Sequence, residues 1–326
     1  MGQGAELAEQ ACAAGRCEEA IDLLEREIRR QPGNPRLYRT LGLCYSGGCR
    51  PHSLADADMA VSYLRQALRL SGEDRGPLRA DILDALGNSL IRCRLAPRES
   101  ALREALACHR EAAEIYQTSG SSDDWARAEF NLGNACCDLA DITAEDRWGE
   151  AISHYENALR IRTRDKDPER HAAVLENLGG AWRRLPAGDG RANVRKCIDC
   201  YRRALRIFAP ATHPEKNAGL QNNLGNAFLS LPETDERTAA RNARRALAHF
   251  DRALRVQADK GSRVYGITQY NRAQAFVRLS RASPAANLGM AADCLREACR
   301  AFESCGEARY RRVAQDQLAS ILPSGT

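Results

Sequence analysis

The sequence predicts an all-α fold, and three features lead to this prediction: the composition, a motif that recurs about every 46 residues, and a second, helical motif between its copies. Aromatic residues make up only 6% of the 326 residues, whereas strands are rich in aromatic and β-branched side chains. Charged residues reach 28%, and frequent Ala, Leu, Arg and Glu are typical of helices. No run approaches the roughly 20 apolar residues of a membrane-spanning helix, which predicts no membrane partner.

A Leu-Gly pair marks the first motif. It recurs at residues 41–42, 86–87, 132–133, 178–179 and 224–225, with spacings of 45, 46, 46 and 46 residues. The surrounding residues are similar in 129–135, 175–181 and 221–227, and a degenerate sixth copy covers 270–276. An internal repeat of this length is typical of solenoid proteins, so length alone, which would predict about two domains, is a poor guide here.

The second motif lies between the copies of the first. It reads similarly in 60–68, 151–159, 197–205 and 246–254, with weaker copies that begin at Ala20, Ala105 and Ala291. Its apolar residues recur at intervals of three and four, which predicts an amphipathic helix. The alternation of the two motifs therefore predicts about seven helix-turn-helix hairpins over residues 4–304. A capping helix is predicted to follow at 307–322. We expect one array over residues 1–326, with Tyr155, Tyr201 and Phe250 filling the space between hairpins.

The order of small and large residues resembles that of the tetratricopeptide repeat family, with Leu132 and Gly133 followed by Ala151, Tyr155 and Ala158. The longer repeat is similar to the extended bacterial form found beside caspase-like (CHAT) proteases or nucleotide-hydrolysing switch domains, and residues 185–193 and 221–226 carry that likeness best. The resemblance implies a right-handed α-solenoid without catalytic activity. It further implies a scaffold or adaptor that binds a peptide or a partner surface in its concave groove. The alternative is a regulatory subunit for a separately encoded protease or switch protein.

We call the two helices of each predicted hairpin its first helix and its second helix. On each first helix, residues spaced at i, i+4, i+7 and i+11 form one stripe. Asparagine recurs in it, although its amide competes with the helix backbone. An amide offers donors and an acceptor that match the main chain of an extended peptide. The stripe is similar to the asparagine ladders of kinesin light chains, with arginines that would select acidic side chains. The predicted binding residues are Asn88, Arg92, Arg127, Asn131, Asn134, Asn177, Arg184, Asn223, Asn226, Asn271 and Arg278. The alternative is that these asparagines bond between neighbouring hairpins and bind nothing.

Cysteine suggests a metal or redox site, but the pattern is weak. The thirteen cysteines are odd in number and follow no secretory signal, which predicts a reducing, cytoplasmic location. Cys197 and Cys200 form a CxxC without a second such pair, whereas a structural zinc site usually needs four ligands. Cys108 and His109 are adjacent and point about 100° apart on a helix. We therefore expect no metal, no cofactor and no catalytic residues.

The charge balance argues against a dedicated nucleic-acid-binding protein. The net charge is +5, and basic pairs at 183–184, 195–196, 202–203 and 244–245 are diluted by acidic clusters. The pI of about 8.6 lies below the range expected of such a protein. Most of these charges are expected to lie on solvated helix faces, and the expected partner is a protein or peptide rather than a small-molecule substrate.

Overall fold

The structure, a computed structural model, describes residues 3–48, 54–94, 96–280 and 284–321. It divides into two compact units, Met1–Thr163 (unit 1) and Arg164–Thr326 (unit 2). All regular elements in the described ranges are helices. The predicted all-α fold is confirmed, while the single array over residues 1–326 and its right hand stay predictions.

Unit 1 contains four helical hairpins. Its helices are α1 Gln3–Ala13, α2 Cys17–Arg30, α3 Pro35–Leu43, α4 Leu54–Leu70, α5 Pro77–Leu90, α6 Arg98–Thr118, α7 Ser122–Ile142 and α8 Trp148–Ile161. Each packs against the next along the chain, and α3 also contacts α5. Residues Cys44–Gly48 extend α3 as a π-helical turn that includes Gly47 at φ 105°, a backbone conformation that favours glycine.

Unit 2 contains three hairpins and the last described helix. Its helices are α9 Pro168–Arg184, α10 Gly190–Leu205, α11 Pro214–Leu229, α12 Glu236–Val256, α13 Arg263–Leu279, α14 Pro284–Ser304 and α15 Ala308–Ile321. Consecutive helices pack together, and α11 also contacts α13. Helix α15 lies against α14 and buries Ala314 in the core beside Phe302. It matches the predicted capping helix, of which Leu322 lies outside the described residues.

Proline and short polar residues fix where several first helices begin. Pro35, Pro77, Pro168 and Pro214 lie in the first turn of their helices, where a missing N–H costs no hydrogen bond. Asn34 and Asp167 cap two of these helices, because their side chains accept hydrogen bonds from backbone N–H groups of the first turn. None of the described helices combines the length and the apolar character needed to cross a bilayer.

The Leu-Gly motif brings the two helices of one hairpin into close contact. A Cβ added at the motif glycine would lie 2.3–2.7 Å from one side chain on the second helix of the same hairpin. The pairs are Gly42 with Leu64, Gly87 with His109, Gly133 with Tyr155, Gly179 with Tyr201 and Gly225 with Phe250. The expectation that Tyr155, Tyr201 and Phe250 fill space between hairpins is therefore wrong. These rings lie within hairpins, because only a glycine leaves room for them there.

Candidate functional site

The predicted binding residues lie on or directly after the first helices of both units. In unit 1, Asn88 lies in the last turn of α5 and Arg92 lies just beyond the end of this helix, whereas Arg127, Asn131 and Asn134 lie on α7. In unit 2, α9 carries Asn177 and Arg184, α11 carries Asn223 and Asn226, and α13 carries Asn271 and Arg278. We call these two sets the first-helix face of unit 1 and the first-helix face of unit 2.

Hydrogen bonds connect one first helix to the next within each unit. In unit 1, Asn131 Nδ2 on α7 donates to Asp84 Oδ1 on α5 at 2.9 Å. In unit 2, Asn223 Nδ2 donates to Glu176 Oε1 at 3.4 Å, and Asn271 Nδ2 donates to Asn222 Oδ1 at 3.0 Å. Successive first helices therefore present their stripes side by side.

Asp84 lies behind the first-helix face of unit 1 and contacts the side chains of His109, Arg127 and Asn131. The residue is only 5% exposed, and Arg127 Nε donates to its Oδ2 at 2.8 Å. His109 Nδ1 lies 3.0 Å from Oδ1. Burial alone would raise the pKa of Asp84, but the hydrogen bonds and charges of His109 and Arg127 outweigh burial and lower the pKa to about 2. Asp84 is therefore ionised at neutral pH and holds Arg127 and Asn131 in place.

The stripe arginines form contacts inside the protein. Arg127 Nη1 also lies 2.5 Å from Asp124 Oδ1. Arg92 donates to the main-chain oxygen of Ser46, and Arg278 donates both to that of Leu229 and to Glu233. Carbonyls near the C-terminus of a helix lack an intrahelical partner, so Arg92 and Arg278 each stabilise the end of the preceding first helix of their own unit. Their role in selecting acidic side chains stays a prediction.

Some amide groups of the first-helix faces keep hydrogen-bonding capacity. Asn88 is exposed, and its side chain forms no hydrogen bond within the described residues. The side chain of Asn226 is likewise without a partner there and is half-buried. By contrast, Asn134 Oδ1 accepts from Tyr155 at 2.8 Å. The faces thus contain both amides that link helices and amides that are open to a partner.

Sequence reasoning missed the acceptors of the inter-helix bonds. Asp84, Glu176 and Asn222 each lie three residues before the motif glycine, a position outside the stripe. A polar residue that recurs there was a usable signal. Phe130 at the same place in α7 interrupts it, which makes the pattern harder to detect.

The thiols of the described residues are free, and those that suggested chemistry are buried. Burial raises the pKa of Cys197, the first cysteine of the CxxC, to about 12. It raises the pKa of Cys108 to about 12 as well, and the neighbouring His109 turns to Asp84 instead. A reactive cysteine needs the thiolate form at neutral pH, so these sites lack that activation.

One cluster in unit 1 has the donor set of a metal site. Cys136, Glu150 and His154 each offer a ligand atom, and these atoms lie within 4.8 Å of one another. The Glu150 carboxylate already pairs with Arg110 at 3.1 Å and with Arg147 at 2.8 Å. Burial, reinforced by the Glu150 charge, raises the pKa of Cys136 to about 12. Two guanidinium groups beside Glu150 and a protonated thiol on Cys136 favour an ion-pair network over a metal site. The absence of a metal stays a prediction.

Comparison with known proteins supports the repeat assignment. Residues 130–169 match the sequence model of the tetratricopeptide repeat. No curated protein sequence matches the chain as a relative. The structure is similar to part of a TPR repeat-containing protein from Cytophaga hutchinsonii, with 13% identity, a TM-score of 0.56 and coverage of 92% of this chain and 98% of that chain.

Two further solved structures share the fold. The apo form of RapI gives 14% identity, a TM-score of 0.58 and coverage of 93% of this chain and 98% of that chain. A chain of the APC/C hetero-tetramer Cut9–Hcn1 gives 12% identity and a TM-score of 0.60, with 97% of this chain covering 48% of that chain. At these identities the likeness shows a TPR-like helical-repeat fold. The finer resemblance to the CHAT-associated repeat form stays a prediction.

Proposed function

We propose that this protein is a non-catalytic scaffold that binds an extended segment of a partner protein along one of its two first-helix faces. The observation that carries the proposal is the set of inter-helix bonds, Asn131 to Asp84, Asn223 to Glu176 and Asn271 to Asn222. They align the polar stripes of neighbouring first helices within each unit. An aligned row of amides can follow a peptide main chain, because each amide both donates and accepts.

The amides divide into two groups with different roles in this proposal. Asn131 is held by Asp84 and positions the helices. The side chains of Asn88 and Asn226 have no hydrogen bond within the described part of the chain. Their amides therefore form hydrogen bonds directly with the main chain of the bound peptide. We propose that the remaining residues of the faces, including Arg127 and Arg184, border the bound segment. A rigid amide row is preorganised, which lowers the cost of binding.

A binding experiment tests the proposal. A random-peptide display library is selected against the full chain, and the affinity of a selected peptide is measured by fluorescence anisotropy. We expect Asn88→Ala or Asn226→Ala to weaken binding about fivefold or more, which is the effect of one lost hydrogen bond. The matched control is Gln117→Ala, which removes an exposed amide from the second helix α6. Equal affinities for all three variants would overturn the proposal.

We also propose a reducing compartment, the cytoplasm, for this protein. The support is that the cysteines of the described residues are free and mostly buried. Thiols in an oxidising compartment tend to form disulfides. Mass spectrometry of the protein isolated without reductant tests this, since a disulfide in most molecules would contradict it.

A regulatory role is the second candidate. The 46-residue repeat and residues 185–193 and 221–226 favour it through their similarity to the CHAT-associated form. The partner would then be a separately encoded protease or nucleotide-hydrolysing switch protein. Recovery of such a protein in a stoichiometric complex with this chain would support regulation, whereas binding of many unrelated peptides would support a general adaptor.

A further inference from the structure

A basic cleft lies in unit 2, away from the first-helix face, between the second helices α10 and α12. Its volume is about 300 Å³. Five arginines line it, and we call them the arginine cluster: Arg191, Arg195, Arg202, Arg241 and Arg245. The carboxylate in the lining is that of Asp199, which lies 3.8 Å from Arg203 outside the cleft. None of the five arginines has an ion-pair partner within the described residues.

The corresponding surfaces of unit 1 contain ion pairs instead. Arg65 and Arg110 lie five residues after the first residue of the second motif, and each pairs with a glutamate that directly precedes the next motif. The pairs are Arg65–Glu104 at 2.7 Å and Arg110–Glu150 at 3.1 Å. In unit 2 the same two positions are Arg202 and Arg245. The sequence therefore places two cations where unit 1 has a cation and an anion.

An unsatisfied donor also points to a ligand in the cleft. Asn242 lines it, is 3% exposed, and its buried Nδ2 has no hydrogen-bond partner. The residues at the same place in two other second helices are satisfied. Asn193 Nδ2 donates to the main-chain oxygen of Ala187 at 2.8 Å, and Asn287 Nδ2 donates to that of Leu279 at 3.2 Å. Buried amide groups are normally paired, so Asn242 lacks an acceptor that a ligand would supply.

We propose that this cleft binds a ligand with two or more linked phosphate groups. A guanidinium group forms bidentate hydrogen bonds with phosphate oxygens and stays charged at all physiological pH values. Five such groups exceed what a single anionic group neutralises, and the Asn242 amide adds a neutral donor. Phe228 and Ile198 line the same cleft and give it an apolar side. Arg245 lies over the Phe228 ring, 5.7 Å from its centroid, which restrains the orientation of this guanidinium.

Calorimetric titration of the full chain with pyrophosphate and tripolyphosphate tests the proposal. The informative variant is Arg245→Glu, because the new glutamate would pair with Arg202 as Glu150 pairs with Arg110. We expect this variant to fold and to bind at least about tenfold more weakly. The matched control is Arg244→Glu, which makes the same charge change at an exposed neighbour outside the cleft lining. We expect it to stay within about threefold of the wild type, since long-range charge effects are screened by salt.

A second variant separates binding from stability. Asn242→Leu removes a donor that has no partner in the protein, so we expect unchanged or increased thermal stability together with weaker tripolyphosphate binding. ATP, compared with tripolyphosphate, identifies the source of the phosphates. A tighter ATP complex assigns the ligand to nucleotides, and an equal or weaker one assigns it to inorganic polyphosphates. Either ranking supports the site when Arg245→Glu weakens binding.

Three results would overturn the proposal. The first is no binding of pyrophosphate or tripolyphosphate to the wild type. The second is an equal loss in Arg245→Glu and Arg244→Glu, which would show diffuse charge attraction only. The third is tight binding of single-stranded RNA without any binding of the small phosphates, which would identify the arginine cluster as a nucleic-acid surface.

Discussion

The ring of Phe250 occupies the space directly in front of Gly225, so that a Cβ on this glycine would lie 2.3 Å from Phe250 Cε1. The two residues belong to α11 and α12, the helices of one hairpin. Four other hairpins repeat this arrangement with a different side chain against the glycine. The two helices of each of these hairpins therefore pack most closely at the glycine of the Leu-Gly motif.

Gly225→Ala is expected to destabilise the protein. The added methyl group collides with a fully buried ring, and overpacking of this kind costs about 1–3 kcal/mol. The control is Gly219→Ala on the same helix, where an added Cβ has no atom within 4 Å. That variant should be neutral or more stable by up to about 1 kcal/mol, because alanine favours helix formation. Thermal melting of both variants checks this, and equal melting temperatures would contradict the close contact.

Asp84 should make stability depend on acidic pH. Its pKa falls from 3.8 to about 2 in the folded protein, so its ionised form contributes stability above pH 4. This contribution, about 2 kcal/mol, is lost as the pH falls from about 4 towards 2. Urea unfolding of the wild type and Asp84→Asn at several pH values should show a gap in free energy that narrows across this window. A gap that is independent of pH would contradict the role of Asp84.

Asn131 and Asn88 should differ in their effect on stability. Asn131→Ala removes a hydrogen bond to the buried Asp84 carboxylate, which we expect to cost about 1–3 kcal/mol. Asn88→Ala removes an exposed side chain without a partner and should change the free energy of unfolding by less than about 0.5 kcal/mol. Urea unfolding of the two variants measures both. Comparable losses would show that Asn88 also has a structural role.

His249 should report on the arginine cluster. Burial and the nearby Arg252 and Arg202 lower the pKa of His249 to about 4, so the folded protein resists its protonation. Stability should therefore fall as the pH drops from about 6.5 to about 4, since the unfolded chain binds a proton first. His249→Gln should lack this loss. Tripolyphosphate bound beside Arg202 should raise the His249 pKa in an NMR titration, and an unchanged pKa at saturation would contradict binding there.

The repeat pattern predicted the hairpins well because packing within a hairpin is local in the sequence. The Leu-Gly pair and the aromatic residue of the second motif lie 22 to 25 residues apart, and their spacing is visible in the chain. The network around Asp84 was not predictable in this way. Its partners Arg127 and Asn131 follow 43 and 47 residues later, and only the packed helices show that the carboxylate is buried.

The arginine cluster was likewise not predictable from the sequence, because its members lie far apart along the chain. In the sequence, Arg202 and Arg245 each belong to a basic pair of the kind found on solvated helix faces. The structure brings both into one cleft with three other arginines. The signal available in the sequence was the comparison between repeats, because the position that is Glu104 and Glu150 in two repeats of unit 1 is Arg245 in a repeat of unit 2. At this position the charge reversal is visible in the sequence, whereas the total charge of +5 conceals it.

In the proposed function, the amides of Asn88 and Asn226 on the first-helix faces bind a partner's main chain. The most direct test of this claim is an NMR titration of protein labelled at asparagine, with a display-selected peptide, observing the side-chain NH₂ signals. We predict that the signals of Asn88 or Asn226 shift and saturate, while that of Asn157 on the second helix α8, whose Nδ2 donates to Glu129 at 2.9 Å, stays in place. A bound peptide that shifts Asn157 and leaves Asn88 and Asn226 unchanged would contradict the claim.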